Sequence, residues 1–376
     1  MRHAGLSRCV RCGAIAAAAL AFVIAAGITA FASSARLQGL LLFVWVLDWP
    51  PADWDAPMLP FPCWSKAACR WDEVESAWIP PGGSFRPGDL RTWVADPLSF
   101  FSFRGVRVLN ATAIRVPTAR PGVTLGAWVM HGASGRGRVH SGSGFTLLYA
   151  HGNAGNRATE HRVRLYENLL NNVDCDIDTV IAFDYSGFAD SGGGDERAWD
   201  LAEDRVVDDM LAVDAWVRQS SLNPTRLVWW GHSLGTGVAL GALERLAKSD
   251  LGGTGKSAAL LPDGLVLEAP FTSAVEVAAI DWGSLARTHL VHTFHSLQRA
   301  ELRLVQTLVL HGERDMVIPF AHGQAISRAA GATFEAFDSC HTDIVVRRLQ
   351  LAHAVNAFVA RLLEVPGTSK SSQVAV

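Results

Sequence analysis

The sequence predicts an α/β fold in which a mainly parallel β-sheet is covered by helices on both faces. Strand-like apolar runs alternate with runs of helical spacing between residues 145 and 363. The chain has 376 residues, of which 49% are hydrophobic, so it can bury a full core. Upstream, residues 106–116 and 123–130 are expected to form antiparallel edge strands. The predicted domain therefore spans residues 104–364.

A nucleophile motif lies at the centre of this region. Residues 229–237 read Trp-Trp-Gly-His-Ser-Leu-Gly-Thr-Gly and contain the G-x-S-x-G pattern of the nucleophile elbow. The apolar run 226–230 predicts a buried strand, and the spacing of residues 238–248 predicts a helix. Because this places the serine on a strand-to-helix turn, we expect Ser233 to be a nucleophile.

A serine hydroxyl needs an imidazole to accept its proton, and the imidazole needs an acid to fix its tautomer. In this fold the three residues follow in the order Ser, Asp, His. Asp315 follows the strand-like run 307–310, and His341 follows the run 333–337. The two spacings together favour a triad over ordinary polar loop residues. The other acids of these loops would reach the imidazole from a different turn position: Glu313, Asp338 and Asp343.

The oxyanion of an acyl-transfer reaction needs two backbone donors. One is expected from the residue after the nucleophile, Leu234, and the other from a loop after an earlier strand. The run 145–149 is such a strand, and Ala-His-Gly-Asn-Ala-Gly follows it at residues 150–155. We therefore predict the N–H of Asn153 as the second donor. His151 and His232 are interpreted as structural histidines beside the site.

Four stretches together resemble one family: residues 151–166, 183–192, 231–239 and 267–272. They are similar to the α/β-hydrolase-domain lipases that cleave lysophosphatidylserine and monoacylglycerols and sit in the endoplasmic reticulum membrane. The resemblance covers roughly residues 104–362. It implies an α/β-hydrolase fold, the triad Ser233, Asp315 and His341, and a lipid ester as substrate.

The expected cap of the domain lies at residues 272–306. About 33 residues separate Thr272 from Gln306, which is short for the family and favours a substrate with one acyl chain. Two short helices are expected, over residues 274–280 and 285–297. Histidines at positions 289, 292 and 295 recur every three residues, which favours a polar face of the second helix over a metal site; protonated, they are also candidates to contact an anionic head group.

The N-terminal region predicts a membrane anchor. Three arginines, Arg2, Arg8 and Arg11, precede 23 uncharged residues at 13–35, and at 1.5 Å per residue such a helix crosses about 30 Å of hydrocarbon. The positive-inside rule keeps residues 1–12 cytosolic and places the catalytic domain on the lumenal side, which the family resemblance identifies as the lumen of the endoplasmic reticulum. The alternative is a signal peptide cleaved near Ala32, which would release a secreted protein.

Residues 36–103 form a Trp/Pro-rich, membrane-proximal segment, whose tryptophans either contact the bilayer surface or pack on the domain. Two features suit an oxidising compartment. Asn110 begins a glycosylation sequon, and Cys63 and Cys69 are close enough in sequence for a disulfide, although free thiols are the alternative. The polar tail 365–376 is expected to be disordered.

These features predict a membrane-anchored serine hydrolase that cleaves acyl esters of single-chain lipids. The chemistry requires no metal or organic cofactor, and the net charge of −3 gives no indication of nucleic-acid binding. Two alternatives stay open. An acyl-protein thioesterase would use the same machinery on the cytosolic side. A non-catalytic lipid-binding scaffold could use the same fold, although the intact triad argues against it.

Overall fold

The computed structural model describes residues 110–132, 144–171, 177–193, 202–250, 261–282 and 290–364, together with 70–72, 77–79, 97–98, 101 and 106–108. In this part of the chain the strands are β1 Arg70–Asp72, β2 Ala77–Ile79, β3 Asn110–Pro117, β4 Val123–His131, β5 Phe145–Ala150, β6 Ile177–Phe183, β7 Gly192–Gly193, β8 Leu227–His232, β9 Gly264–Glu268, β10 Gln306–Gly312 and β11 Thr333–Phe337.

Strands β3 to β11 form one sheet of nine strands in order β11-β10-β9-β8-β5-β6-β4-β3, with the short β7 beside β4. The six strands from β6 to β11 along this order run parallel. Strands β3 and β4 pair antiparallel at one edge, as predicted, although β3 begins at Asn110 rather than at residue 106. The separate pair of β1 and β2 is also antiparallel.

The helices are α1 Glu160–Leu170, α2 Glu203–Gln219, α3 Leu234–Asp250, α4 Ala274–Trp282, α5 Ser296–Ala300, α6 Phe320–Ala330 and α7 Arg348–Glu364, with a 3₁₀ turn at Ile344–Val346. Two hydrophobic clusters lie on opposite faces of the sheet. One includes residues of α2, α3 and α6, such as Met210, Val238 and Ile326. The other includes residues of α1 and α7, such as Val163 and Phe358. The predicted arrangement of helices on both faces is confirmed.

Strand β8 lies in the middle of the sheet and is buried along its whole length. Its two tryptophans face opposite clusters, as the alternation of a strand requires. Each indole N–H has a buried carboxylate as its acceptor: Trp229 donates to Asp214 at 3.0 Å and Trp230 to Glu268 at 2.9 Å. The strand that ends at the nucleophile is therefore fixed on both faces.

The predicted second cap helix is wrong over residues 290–295, which are not helical. Phe294 has a positive φ of 43°, and its N–H donates to the Glu203 carboxylate at 2.8 Å. The carbonyl of Thr293 accepts the N–H of Ala274 at 2.8 Å instead of an N–H from the next turn of a helix. These tertiary bonds replace the helical ones, so the histidines at 292 and 295 do not share a helix face. Helix α5 begins only at Ser296.

None of the helices in the described residues is both long and apolar enough to cross a bilayer. The predicted span 13–35 lies outside those residues, as do Cys63, Cys69 and the tail 365–376. Asn110, the glycosylation candidate, is the first residue of β3 and is exposed.

Candidate active site

Ser233 lies on the turn between β8 and α3 and has a positive φ of 52°. For a residue other than glycine this conformation is strained. Two sets of hydrogen bonds support it: the Ser233 N–H donates to the carbonyl of Glu268 at 2.9 Å, and the Ser233 carbonyl accepts the backbone N–H and the hydroxyl of Thr236. A side chain at Gly235 would place its Cβ 2.0 Å from the carbonyl oxygen of Ala150, so the turn requires glycine there.

The structure brings the three predicted triad residues together. His341 Nε2 lies 3.1 Å from Ser233 Oγ, and His341 Nδ1 lies 2.7 Å from Asp315 Oδ2. Ser233 follows β8, Asp315 follows β10 and His341 follows β11, so all three lie at the carboxyl edge of the parallel strands. The order nucleophile, base and acid is the one that proton transfer from a serine hydroxyl requires.

Asp315 is oriented by its own loop. Its Oδ1 accepts the backbone N–H groups of Val317 and Ile318, each at 2.8 Å, which leaves Oδ2 for His341. His311 lies on the other side, with Nε2 3.5 Å from Oδ2. Burial opposes ionisation of Asp315, but the bonds from His311, His341 and the Ile318 N–H hold its pKa well below the usual range. The carboxyl is therefore ionised and accepts from the imidazole.

The other acids of these loops have different partners. Asp338 is exposed and forms ion pairs with Arg314 at 2.9 Å and Arg347 at 2.8 Å. Asp343 accepts the backbone N–H of Cys340. The structure places Asp315, and neither of these two, against the His341 ring.

The two neighbouring histidines are buried, which fits their interpretation as structural residues. The His232 ring lies 5.2 Å from the His341 ring, and its Nε2 is 3.3 Å from the His341 carbonyl oxygen. Burial, together with the nearby charges of His341 and Arg162, lowers the pKa of His232 well below its usual range. His232 is therefore neutral near pH 7 and adds no charge beside the triad.

The two candidate oxyanion donors belong to two segments next to the nucleophile. Leu234 is the first residue of α3, where backbone N–H groups point out of a helix N-terminus. Asn153 belongs to the loop after β5. This loop is packed against the turn, because a Cβ on Gly152 would lie 3.2 Å from the Cβ of Ser233.

Several polar groups around the site were not predicted from the sequence. Asp184 accepts the backbone N–H of Arg157 at 2.7 Å and pairs with the Arg157 side chain, which also reaches Asp190 at 2.6 Å. Glu268 lies beneath the turn, and burial raises its pKa to about 7 although the bond from Trp230 opposes this. Asp184 and Glu268 both lie in stretches that carry the family resemblance. That resemblance was the one signal in the sequence that could have identified them.

Replacing Asp315 with Asn should lower ester turnover roughly 10⁴-fold with little loss of folding, because an amide cannot fix the imidazole tautomer. The amide oxygen can still accept the N–H groups of Val317 and Ile318, so the NH₂ group would face His341. The measurement is kcat for a soluble ester, with thermal unfolding of the same sample. Asp338→Asn is the control and should keep normal turnover. Near-normal kcat in Asp315→Asn, with loss in Glu313→Gln, would contradict the assignment.

Comparison with known proteins supports the fold. The family model for the alpha/beta hydrolase fold matches residues 146–250. Lysophosphatidylserine lipase ABHD12 of Danio rerio is 35% identical over 194 residues, which are 48% of this chain and 46% of that protein. An uncharacterized protein of Mycobacterium tuberculosis is 32% identical over 229 residues, which are 59% of this chain and 69% of that protein.

Among solved structures, the esterase Pf2001 of Pyrococcus furiosus superposes with a TM-score of 0.50 at 17% identity, covering 74% of this chain and 96% of that chain. At this identity the likeness indicates the fold alone. The chain spans about half the length of the curated lipases that it matches. Three findings agree on the family: the sheet order, the matched family model, and the Mycobacterium tuberculosis relative, 69% of whose length is matched. The chain belongs to the α/β-hydrolase family.

Proposed function

We propose that the chain is a serine hydrolase that cleaves acyl esters of single-chain lipids, either a lysophospholipid such as lysophosphatidylserine or a monoacylglycerol. The observation that carries the proposal is the chain of contacts from Ser233 through His341 to Asp315, with separations of 3.1 and 2.7 Å. The names of the relatives support the lipid class, since several are lysophosphatidylserine lipases.

The mechanism is acyl transfer in two steps. His341 Nε2 accepts the proton of Ser233 Oγ as the oxygen attacks the acyl carbonyl, and the ionised Asp315 stabilises the imidazolium. The N–H groups of Leu234 and Asn153 bind the oxyanion. His341 then donates its proton to the leaving alcohol. Water attacks the acyl-enzyme with His341 as base, which releases the fatty acid and restores Ser233.

Ser233→Ala should abolish labelling by a fluorophosphonate probe and lower turnover on the order of 10⁶-fold, because the hydroxyl forms the covalent bond. Labelling is measured on the folded, purified protein by gel fluorescence and intact mass. Ser273→Ala, at a partly buried serine before helix α4, is the control and should be labelled like wild type. Full labelling of Ser233→Ala would transfer the role to another serine.

The proposal of a single acyl chain rests on the size of the cap. Between Thr272 and Gln306 the described helices are only α4, with 9 residues, and α5, with 5 residues. Buried aromatic side chains lie next to them, with the Phe271 and Phe294 rings 6.1 Å apart at the first turns of α3. A short cap that packs on the domain through apolar side chains favours one acyl chain over two.

Purified protein in detergent should release fatty acid faster from lysophosphatidylserine or monoacylglycerol than from diacyl phospholipid or triacylglycerol, because the proposed short cap covers one acyl chain. Released fatty acid is quantified by mass spectrometry at matched substrate concentrations. Ser233→Ala protein provides the background. A preference for the two-chain or three-chain lipids, or for a palmitoylated peptide, would contradict this substrate class and would leave the hydrolase chemistry unaffected.

We also propose that residues 13–35 anchor the protein in the endoplasmic reticulum membrane with the domain in the lumen. The uncharged span, the arginines before it and the exposed position of Asn110 support this topology. In sealed microsomes the domain should resist protease, carbonate should not extract it, and Asn110→Gln should remove a glycan-sized mass. Digestion from the cytosolic side would contradict the topology and favour a thioesterase. A protected protein that carbonate extracts would indicate a cleaved signal peptide.

A further inference from the structure

A buried arginine fixes the loop that follows β5. Arg162 lies on helix α1 and is 1% exposed. Its guanidinium donates to three backbone carbonyls of the loop: Nη2 to Gly152 at 3.2 Å and to Ala154 at 2.6 Å, and Nη1 to Asn156 at 2.6 Å. Buried carbonyls without a donor are costly, so this contact determines the direction in which each of these peptide groups points.

One of these carbonyls belongs to the peptide that carries the predicted oxyanion donor. The carbonyl of Gly152 and the N–H of Asn153 lie in the same planar, trans peptide, so they point in opposite directions. The Gly152 carbonyl is bound a second time, by His151 Nδ1 at 2.7 Å. Because both donors lie on the carbonyl side, the N–H of Asn153 is directed away from Arg162.

The same peptide is next to the nucleophile. A Cβ on Gly152 would lie 3.2 Å from Ser233 Cβ and 3.0 Å from His232 Nδ1. Gly152 places no side chain of its own between this backbone and the turn, so a reversal of the peptide would bring a carbonyl oxygen towards the nucleophile. A carbonyl there would repel the developing negative charge that an N–H stabilises.

We propose that Arg162 is a positioning residue of the oxyanion hole: it binds the carbonyls of Gly152, Ala154 and Asn156 and thereby directs the N–H of Asn153 at the acyl oxygen. The inference rests on the proposed serine hydrolase function. It assigns to Arg162 a role in the transition state rather than in substrate binding. Because three separate carbonyls are bridged by one planar guanidinium, positive charge without that shape does not suffice.

The test uses the full chain with Arg162→Gln and Arg162→Lys, assayed on p-nitrophenyl butyrate. Loss of one oxyanion donor lowers kcat by about 10²- to 10³-fold, so we expect a loss of about that size in Arg162→Gln with KM nearly unchanged. Arg162→Lys should lie closer to Arg162→Gln than to wild type. The affinity for a trifluoromethyl ketone, whose serine adduct carries an oxyanion, should fall by the same factor as kcat/KM.

Guanidinium ion provides a rescue experiment. In Arg162→Ala, millimolar guanidinium chloride should restore part of kcat, while wild type and the control are unaffected. The control is Arg218→Gln, at a partly buried arginine that pairs with Asp214 on α2 at 2.8 Å. It should lower the melting temperature and keep kcat.

Three results would contradict the proposal: a lower melting temperature with normal kcat in Arg162→Gln, a change in KM alone, or full activity in Arg162→Lys. If the Gln variant does not fold, the Lys variant and the ketone affinity still decide the matter. Failure of the proposed function is a separate result, because wild-type protein would then neither hydrolyse the ester nor label at Ser233.

Discussion

The left-handed backbone at Ser233 is the constraint on which the site depends. A serine at a φ of 52° costs on the order of 1–3 kcal/mol, and such a conformation persists only where its surroundings determine it. Here the determinants are local and dense. Strand β8 is paired on both sides, Glu268 binds the Ser233 N–H, and the missing side chain of Gly235 lets α3 approach Ala150. The rigid centre of the sheet thus holds one hydroxyl in place beside His341.

Two buried arginines next to the site have different kinds of partner. Arg157 connects Asp184 and Asp190, whereas the shortest hydrogen bonds of Arg162 go to backbone carbonyls of the neighbouring loop. An ion pair would neutralise a guanidinium but would not orient a peptide. The two arginines, five positions apart, therefore solve different problems: one compensates buried carboxylates, and the other determines the direction of main-chain dipoles.

The fold and the positions of Ser233, Asp315 and His341 could be predicted because their signals are local. Each residue directly follows an apolar run, and parallel strands bring such ends to one edge. The partners of buried polar groups could not be predicted. Nothing in the sequence around Arg162 indicates that it binds loop carbonyls, and nothing around Glu268 indicates that it accepts the indole N–H of Trp230. The prediction of the second cap helix failed for a related reason. The N–H of Phe294 donates to the Glu203 carboxylate, 91 positions away in the chain, and not to a carbonyl of the preceding helical turn, as the spacing had suggested.

Glu268 connects the support of the nucleophile to the acidity of the solution. In the folded protein its pKa is raised to about 7, whereas an unperturbed carboxyl of this type titrates near 4.5. Between these values the folded chain retains a proton that the unfolded chain has released, so the contribution of Glu268 to stability falls as the pH rises through this window. At about 1.4 kcal/mol per pKa unit the total is on the order of 3 kcal/mol. For this carboxyl alone, mildly acidic solution therefore stabilises the folded turn. In alkaline solution the folded protein must bury the ionised Glu268 side chain beneath the turn, which destabilises it.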